Sequence, residues 1–302
     1  MGTSSWSNDD FVSYSKVTHK NVSYDKAGRA TLDWMGMSAQ ETFSRRGIDP
    51  ELDPYNVTRE CCNTTEHPDT KPVILALDVT GSMGKAAQEV ASKLNVIMTK
   101  IYNDKRISDI EFIVMGIGDL AYDRAPIQMS QCESDIRIAE HLDKIYFEGG
   151  GGGNQYESYT AAWYMGLYHT KFDRDIKNGK KSLIITLGDE TLNPYLPINK
   201  LATVTGDDQI AEEDVLTSHL FRAASQKFGI YHINVLHHKT PRSYTPYVRP
   251  SWTLTIGEQN YFEKKIDEIE DIIPQIITDF YAQDLIQTTT AQTTNTGDNW
   301  NW

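Results

Sequence analysis

The stretch LALDVTGSMGK, residues 75–85, ends an apolar run in an aspartate and then places a hydroxyl at every second position: Asp78, Thr80, Ser82. Alternate residues leaving a strand point to the same side. One carboxylate and two hydroxyls would then face a single hard cation. Mg²⁺ takes about six oxygens and keeps several waters. Neutral hydroxyls leave such an ion much of its charge, so it still attracts a further carboxylate. The competing reading is a helix N-terminus, with Thr80 or Ser82 as the cap and Asp78 complementing the helix dipole.

Of two other chemistries, one fails on spacing and the other is disfavoured by residue type. A phosphate-cradling loop needs G-x-x-x-x-G-K-[ST], but Gly84-Lys85 is followed by Ala86 and Gly81 stands too close. A phosphoaspartate enzyme of haloacid-dehalogenase type carries a second acid two residues after its nucleophile. Thr80 holds that place here and cannot exchange protons near neutrality. Further acids, Asp119, Asp123 and Glu190, read as solvated loop residues, with Asp119 and Asp123 able to line the same cleft. His237 and His238 are adjacent on a strand end and point apart, so they do not suggest a shared Zn²⁺. Cys61, Cys62 and Cys132 read as packing thiols. Trp163, Tyr164 and Tyr168 read as a helix face in the core. Tyr244, Tyr247 and Trp252 sit in the proline-rich HKTPRSYTPYVRPSW, read as a loop that either meets a partner or is covered by the N-terminal segment.

The elements that must position these residues follow from the apolar pattern. PVILALD, IEFIVMGIGD, KSLIITLGDE and IYHINVLHH are continuous apolar runs of strand length, as in strands buried on both faces. Between them GKAAQEVASKLNVIMTKIYND, ESDIRIAEHLDKIY, ESYTAAWYMGLYHTK and AEEDVLTSHLFRAASQKFG have helical spacing, the last closed by Gly229 as a cap. APIQMSQ reads as a short edge strand. A last helix is predicted over about 258–283, with Phe262, Ile266, Ile269, Ile273, Ile276 and Phe280 on one face and Pro274 as a kink. Strand–helix alternation predicts an α/β fold: a doubly wound, mostly parallel central sheet flanked by helices. Ligands of such sheets bind outside the carboxyl ends of the strands, where Asp78 and Asp189 both fall.

Three segments taken together, DVTGS at 78–82, GGGGGNQYES at 149–158 and TLGDE at 186–190, resemble the von Willebrand factor A (VWA) domain and its metal-ion-dependent adhesion site. The TGSMG form resembles intracellular bacterial members. The resemblance covers roughly residues 70–283. It implies a Rossmann-like sheet, Thr80 and Ser82 as direct hydroxyl ligands, Asp78 acting directly or through water, and Asp189 as an outer acid that holds a water. Where the family has a Thr in the glycine loop, this chain offers Asn154, Gln155 or Glu157; Thr160 lies too far into the helix. The implied ion is Mg²⁺, with Mn²⁺ or Ca²⁺ as substitutes. The implied partner is another protein supplying an Asp or Glu, an AAA+ ATPase or assembly factor among them.

Composition narrows the function classes. A formal net charge of -13 over 302 residues argues against nucleic acid, whose binding needs clustered Lys and Arg. No run of about 18 apolar residues suggests a membrane span. MGTSSWSNDDF lacks the charged and apolar parts of a secretory leader. An odd cysteine count without framework spacing points to a reducing compartment; the expectation is cytoplasmic. Residues 1–70 read as a polar extension, partly disordered or wrapping the domain, 71–283 as the VWA-like domain, and 284–302 as a low-complexity tail. The functional expectation is a metal-dependent protein-binding module and not an enzyme. The alternatives are a metal-dependent phosphotransferase or hydrolase and a structural subunit with a degenerate metal site.

Overall fold

Eight consecutive residues, Lys71–Asp78 (β1), form a strand buried along its whole length. Alternation divides its side chains between two cores. Val73, Leu75 and Leu77 enter one hydrophobic cluster, and Ile74 and Ala76 the other. The computed structural model describes residues 5–43, 45–148, 156–207, 213–236 and 245–294. Around β1 it places Ile110–Ile117 (β2), Ile127–Met129 (β3), Ser182–Gly188 (β4), Phe228–Leu236 (β5) and Tyr261–Lys265 (β6). The sheet order is β6-β5-β4-β1-β2-β3, parallel throughout except for the antiparallel edge β3. The chain winds one way from β1 to β2 and the other way when it returns as β4. The switch point therefore lies between β1 and β4, where Leu77 pairs with Leu187.

Helices cover both faces. The first cluster is closed by Asn8–Val17 (α1), Gly84–Tyr102 (α2), Arg137–Lys144 (α3) and the described part of Ile269–Thr294 (α7). The second is closed by Ala161–Tyr168 (α4), Thr217–Lys227 (α5) and Thr245–Ile256 (α6). Among the described residues no helix is long and apolar enough to cross a membrane.

The described part of the N-terminal extension is folded onto α2. Phe11 and Leu32 join the first cluster. Trp6 Nε1 donates to Asn95 Oδ1 at 2.9 Å, and Asn95 Nδ2 donates to the Ala30 carbonyl at 3.0 Å. The strand Arg59–Cys61 adds in parallel to Thr170–Phe172.

Three local readings are corrected. The helix expected from about 258 is a 3₁₀ turn and the edge strand β6 before α7 begins at Ile269. Phe262, Ile266 and Ile269 keep a spacing of four and three by coincidence across that change of element. The described part of the proline-rich stretch, from Thr245 on, lies in helix α6 and not in a loop, with Pro246 near its start, where a fixed φ suits the first turn. Gly229 lies inside β5 rather than capping α5, and a side chain there would overlap the Phe280 ring.

Candidate metal centre

β1 delivers Asp78 fully buried to the switch point. The backbone then turns back on the carboxylate: Thr80 N and Thr80 Oγ1 both donate to Asp78 Oδ1, at 2.8 and 2.6 Å. The 3₁₀ turn Gly81–Met83 leads into α2. Ser82 Oγ donates to Asp189 Oδ1 at 3.0 Å. Neither hydroxyl caps a helix, so the N-cap reading is set aside: both are spent on carboxylates. Asp189, 8% exposed, follows the end of β4, the strand beside β1. Two stretches about a hundred residues apart are thus joined at one point of the sheet edge.

The third stretch arrives through Tyr156–Glu157, which pairs in parallel with Thr191–Leu192. Glu157 is buried there, and among the described residues its Oε2 has no hydrogen-bond partner. Burial pushes its carboxyl up to about 10, reinforced by the charges of Asp78, Asp123, Asp119 and Glu190. Burial also raises Asp78, to about 6, and Asp189, to about 7, the latter helped by the charge of Asp78. Among the described residues no lysine or arginine forms an ion pair with Asp78 or Glu157. Asn154 and Gln155 lie outside the described residues, so the choice between them and Glu157 is open on the Asn154 side. Thr160 Oγ1 accepts from Asn193 Nδ2 at 2.6 Å, turned to a structural task.

One participant carries no signal in the sequence. Tyr159 is fully buried and its hydroxyl donates to Asp78 Oδ2 at 2.7 Å. Both Asp78 oxygens thereby have fixed partners. Tyr159 packs on Trp252 at 5.3 Å, and Trp252 stacks on His232 at 3.5 Å and donates to the Glu190 carbonyl at 3.1 Å.

Several expectations change here. Asp119 is not solvated: it is 2% exposed, and its Oδ2 is buried without a partner. Asp123 accepts from Asp119 N at 2.7 Å, and burial raises its carboxyl to about 6. Glu190 is half-buried. Trp252 lies in the second core, under Tyr159 and not under the N-terminal segment, while Tyr247 is exposed. Trp163 and Tyr164 are core residues, but Tyr168 is exposed. His237, His238 and Tyr244 lie outside the described residues.

The donor set is hard oxygen: buried carboxylates, two hydroxyls and a carboxylate oxygen with no partner. It suits a divalent cation of the Mg²⁺ type. The oxygens of Asp78, Glu157 and Asp189 do not all come within 4.8 Å of one another. An ion shared by the three would reach some of them through water.

No protein-family model matches the chain, and no curated protein matches it. Among solved structures, the pilus adhesin SpaC from Lactobacillus rhamnosus GG (open conformation) aligns at 13% identity and a TM-score of 0.48, over 72% of this chain and 31% of that one. Proximal thread matrix protein 1 from the mussel byssus, with a zinc-occupied MIDAS motif, aligns at 12% and 0.41, over 74% and 46%. The vWF domain of the type V pili tip protein Mfa5 from Porphyromonas gingivalis aligns at 12% and 0.39, over 77% and 97%. The chain thus spans about a third of SpaC and about half of the mussel protein. At these scores the likeness carries no argument about activity. The strand order of the chain itself fixes its class: a doubly wound α/β fold of the kind that VWA and other Rossmann-like proteins share.

Proposed function

We propose that this chain is a divalent-metal-dependent protein-binding module of VWA type, in which Mg²⁺ held at the switch point captures an acidic side chain of a partner protein. The observation that carries the proposal is the linked set Asp78–Thr80–Ser82–Asp189, with the partnerless Glu157 oxygen beside it. A bound dication supplies an electrophilic centre. The chain's residues orient and neutralise it: Thr80 and Tyr159 fix the Asp78 carboxylate, and Ser82 ties Asp189 to the same loop.

Charge count decides between capture and mere coordination. Ionised Asp78 and Asp189 neutralise a dication. A third charge on Glu157 would over-neutralise it and repel an incoming carboxylate. Capture therefore needs Glu157 to keep its proton, which burial and its acidic neighbours favour in the metal-free protein. The partner would be a protein exposing an Asp or Glu, such as an AAA+ ATPase or assembly factor, met in the cytoplasm.

Calorimetric titration tests the metal step. Mg²⁺ or Mn²⁺ is expected to bind the wild type and to lose at least about tenfold in affinity, ~1.4 kcal/mol, in Asp78→Ala and Ser82→Ala. Partner capture is expected to disappear with EDTA and in Asp78→Ala. Capture that survives both overturns the proposal, and Mg²⁺-dependent turnover abolished by Asp78→Asn would favour the hydrolase reading.

A further inference from the structure

On the second face of the sheet, at the strand ends opposite the oxygen site, two cysteines meet one glutamate. Cys61 ends the strand Arg59–Cys61, Glu111 is the second residue of β2, and Cys132 follows β3. All three are buried, at 0, 2 and 0% exposure. Both thiols donate to the same oxygen, Glu111 Oε2, at 2.8 Å from Cys61 and 3.4 Å from Cys132. One ligand atom from each residue lies within 4.8 Å of the other two. Thiols are weak donors, and among the described residues no lysine or arginine pairs with Glu111. A buried carboxylate is held here by poor partners.

We propose that Cys61, Glu111 and Cys132 form a structural Zn²⁺ site, independent of the oxygen site. Bonds of about 2.3 Å to sulfur and 2.0–2.2 Å to oxygen put the edges of a Zn²⁺ tetrahedron at roughly 3.3–3.8 Å. The two sulfur–oxygen separations are 2.8 and 3.4 Å and the third edge is under 4.8 Å, so small side-chain shifts would close the trio on an ion. The charge balance also favours exchange. Zn²⁺ enters and the two thiol protons leave to solvent, so the buried cluster keeps the same net charge whatever the state of Glu111. Burial raises both thiols above their ordinary range, Cys61 to about 11, so free thiolates do not form without an ion. Two sulfur ligands select a thiophilic cation over Mg²⁺. Thr70 is fully buried, its hydroxyl donating to Asn63 Oδ1 at 2.8 Å, and it offers a neutral oxygen next to Cys61. The fourth position falls to that hydroxyl or to a water. Such an ion would clip the extension, through Cys61, to the β2–β3 edge of the sheet.

The site is buried, so the metal is supplied while the full chain refolds under a phosphine reductant. The Asp78→Ala background removes the oxygen site. With Co²⁺ as the probe, we expect one ion per chain and a sulfur-to-cobalt charge-transfer band in the near ultraviolet, displaced by Zn²⁺. Oxygen ligands alone give no such band. Cys61→Ser and Cys132→Ser should lose it, and Cys62→Ser should keep it. Absence of the band in the wild-type chain, where oxygen ligands add none, overturns the proposal without depending on how the variants fold. So does a band retained in Cys61→Ser. A free-thiol count of one in the denatured, unreduced protein, where three are expected, with peptide mapping that assigns the disulfide to Cys61–Cys132, also overturns it.

Discussion

At the scale of residues, the centre is a set of acids that would rather be neutral. Asp78, Asp189 and Glu157 hold their protons more tightly folded than unfolded, because burial disfavours the charged form. For a raised carboxyl, the stability gained is complete below the unfolded value, 3.8 for Asp and 4.5 for Glu, and is lost as the pH rises through the folded one. The window closes near pH 6 for Asp78, near 7 for Asp189 and near 10 for Glu157. Metal-free wild type should therefore lose stability relative to Glu157→Gln between pH 5 and pH 8, by up to about 4 kcal/mol at ~1.4 kcal/mol per pH unit. Mg²⁺ should raise the melting temperature more at pH 8 than at pH 5, since at the lower pH protons compete for the same oxygens. Scanning calorimetry with Mg²⁺ or EDTA checks both, and a Glu157→Gln difference that does not change with pH would refute the buried-acid description.

At the scale of elements, two adjacent strand ends set the geometry. β1 and β4 are in register from Val73–Leu183 to Leu77–Leu187, which puts Asp78 beside Gly188. The absence of a side chain at Gly188 is what admits Tyr159: a methyl there would overlap its ring and hydroxyl. Gly188→Ala should push Tyr159 off Asp78 Oδ2, weaken metal binding and cost about 1–3 kcal/mol, the usual range for overpacking. Urea denaturation reads the stability and calorimetry the affinity. Unchanged values for both would mean that Tyr159 does not orient Asp78. The Tyr159–Trp252–His232 stack then ties the same strand ends to α6.

At the scale of the whole molecule, the extension is part of the structure that carries the site. α1 and the hairpin of Asn21–Tyr24 with Ala30–Asp33 lie against α2, the helix that begins just after Ser82. Phe43 stacks on Phe147 at 4.4 Å, and Trp6 bonds to Asn95. Phe43→Ala or Trp6→Ala should cost about 3–5 kcal/mol, as for large buried aromatics, measured by urea denaturation. A cost under ~1 kcal/mol would mean the extension is only loosely held.

Local chemistry in the sequence determined the four long strands, because mostly apolar runs seven to nine residues long have few other ways to be buried. It also determined the acid–hydroxyl run at 78–82, whose period of two depends only on strand geometry, and the placing of Asp189 at a strand end. Tertiary structure alone decided the rest. Whether Glu157 and Asp119 meet water depends on segments that cross over them, and a pattern of near neighbours does not register such cover. The partner of Asp78 Oδ2 is a tyrosine 81 residues away, selected by the winding that lays β4 beside β1. Cys61, Glu111 and Cys132 have no motif spacing and meet only because the extension returns to the sheet. Burial and long-range contact are properties of the closed chain, and residue order specifies them only through the fold.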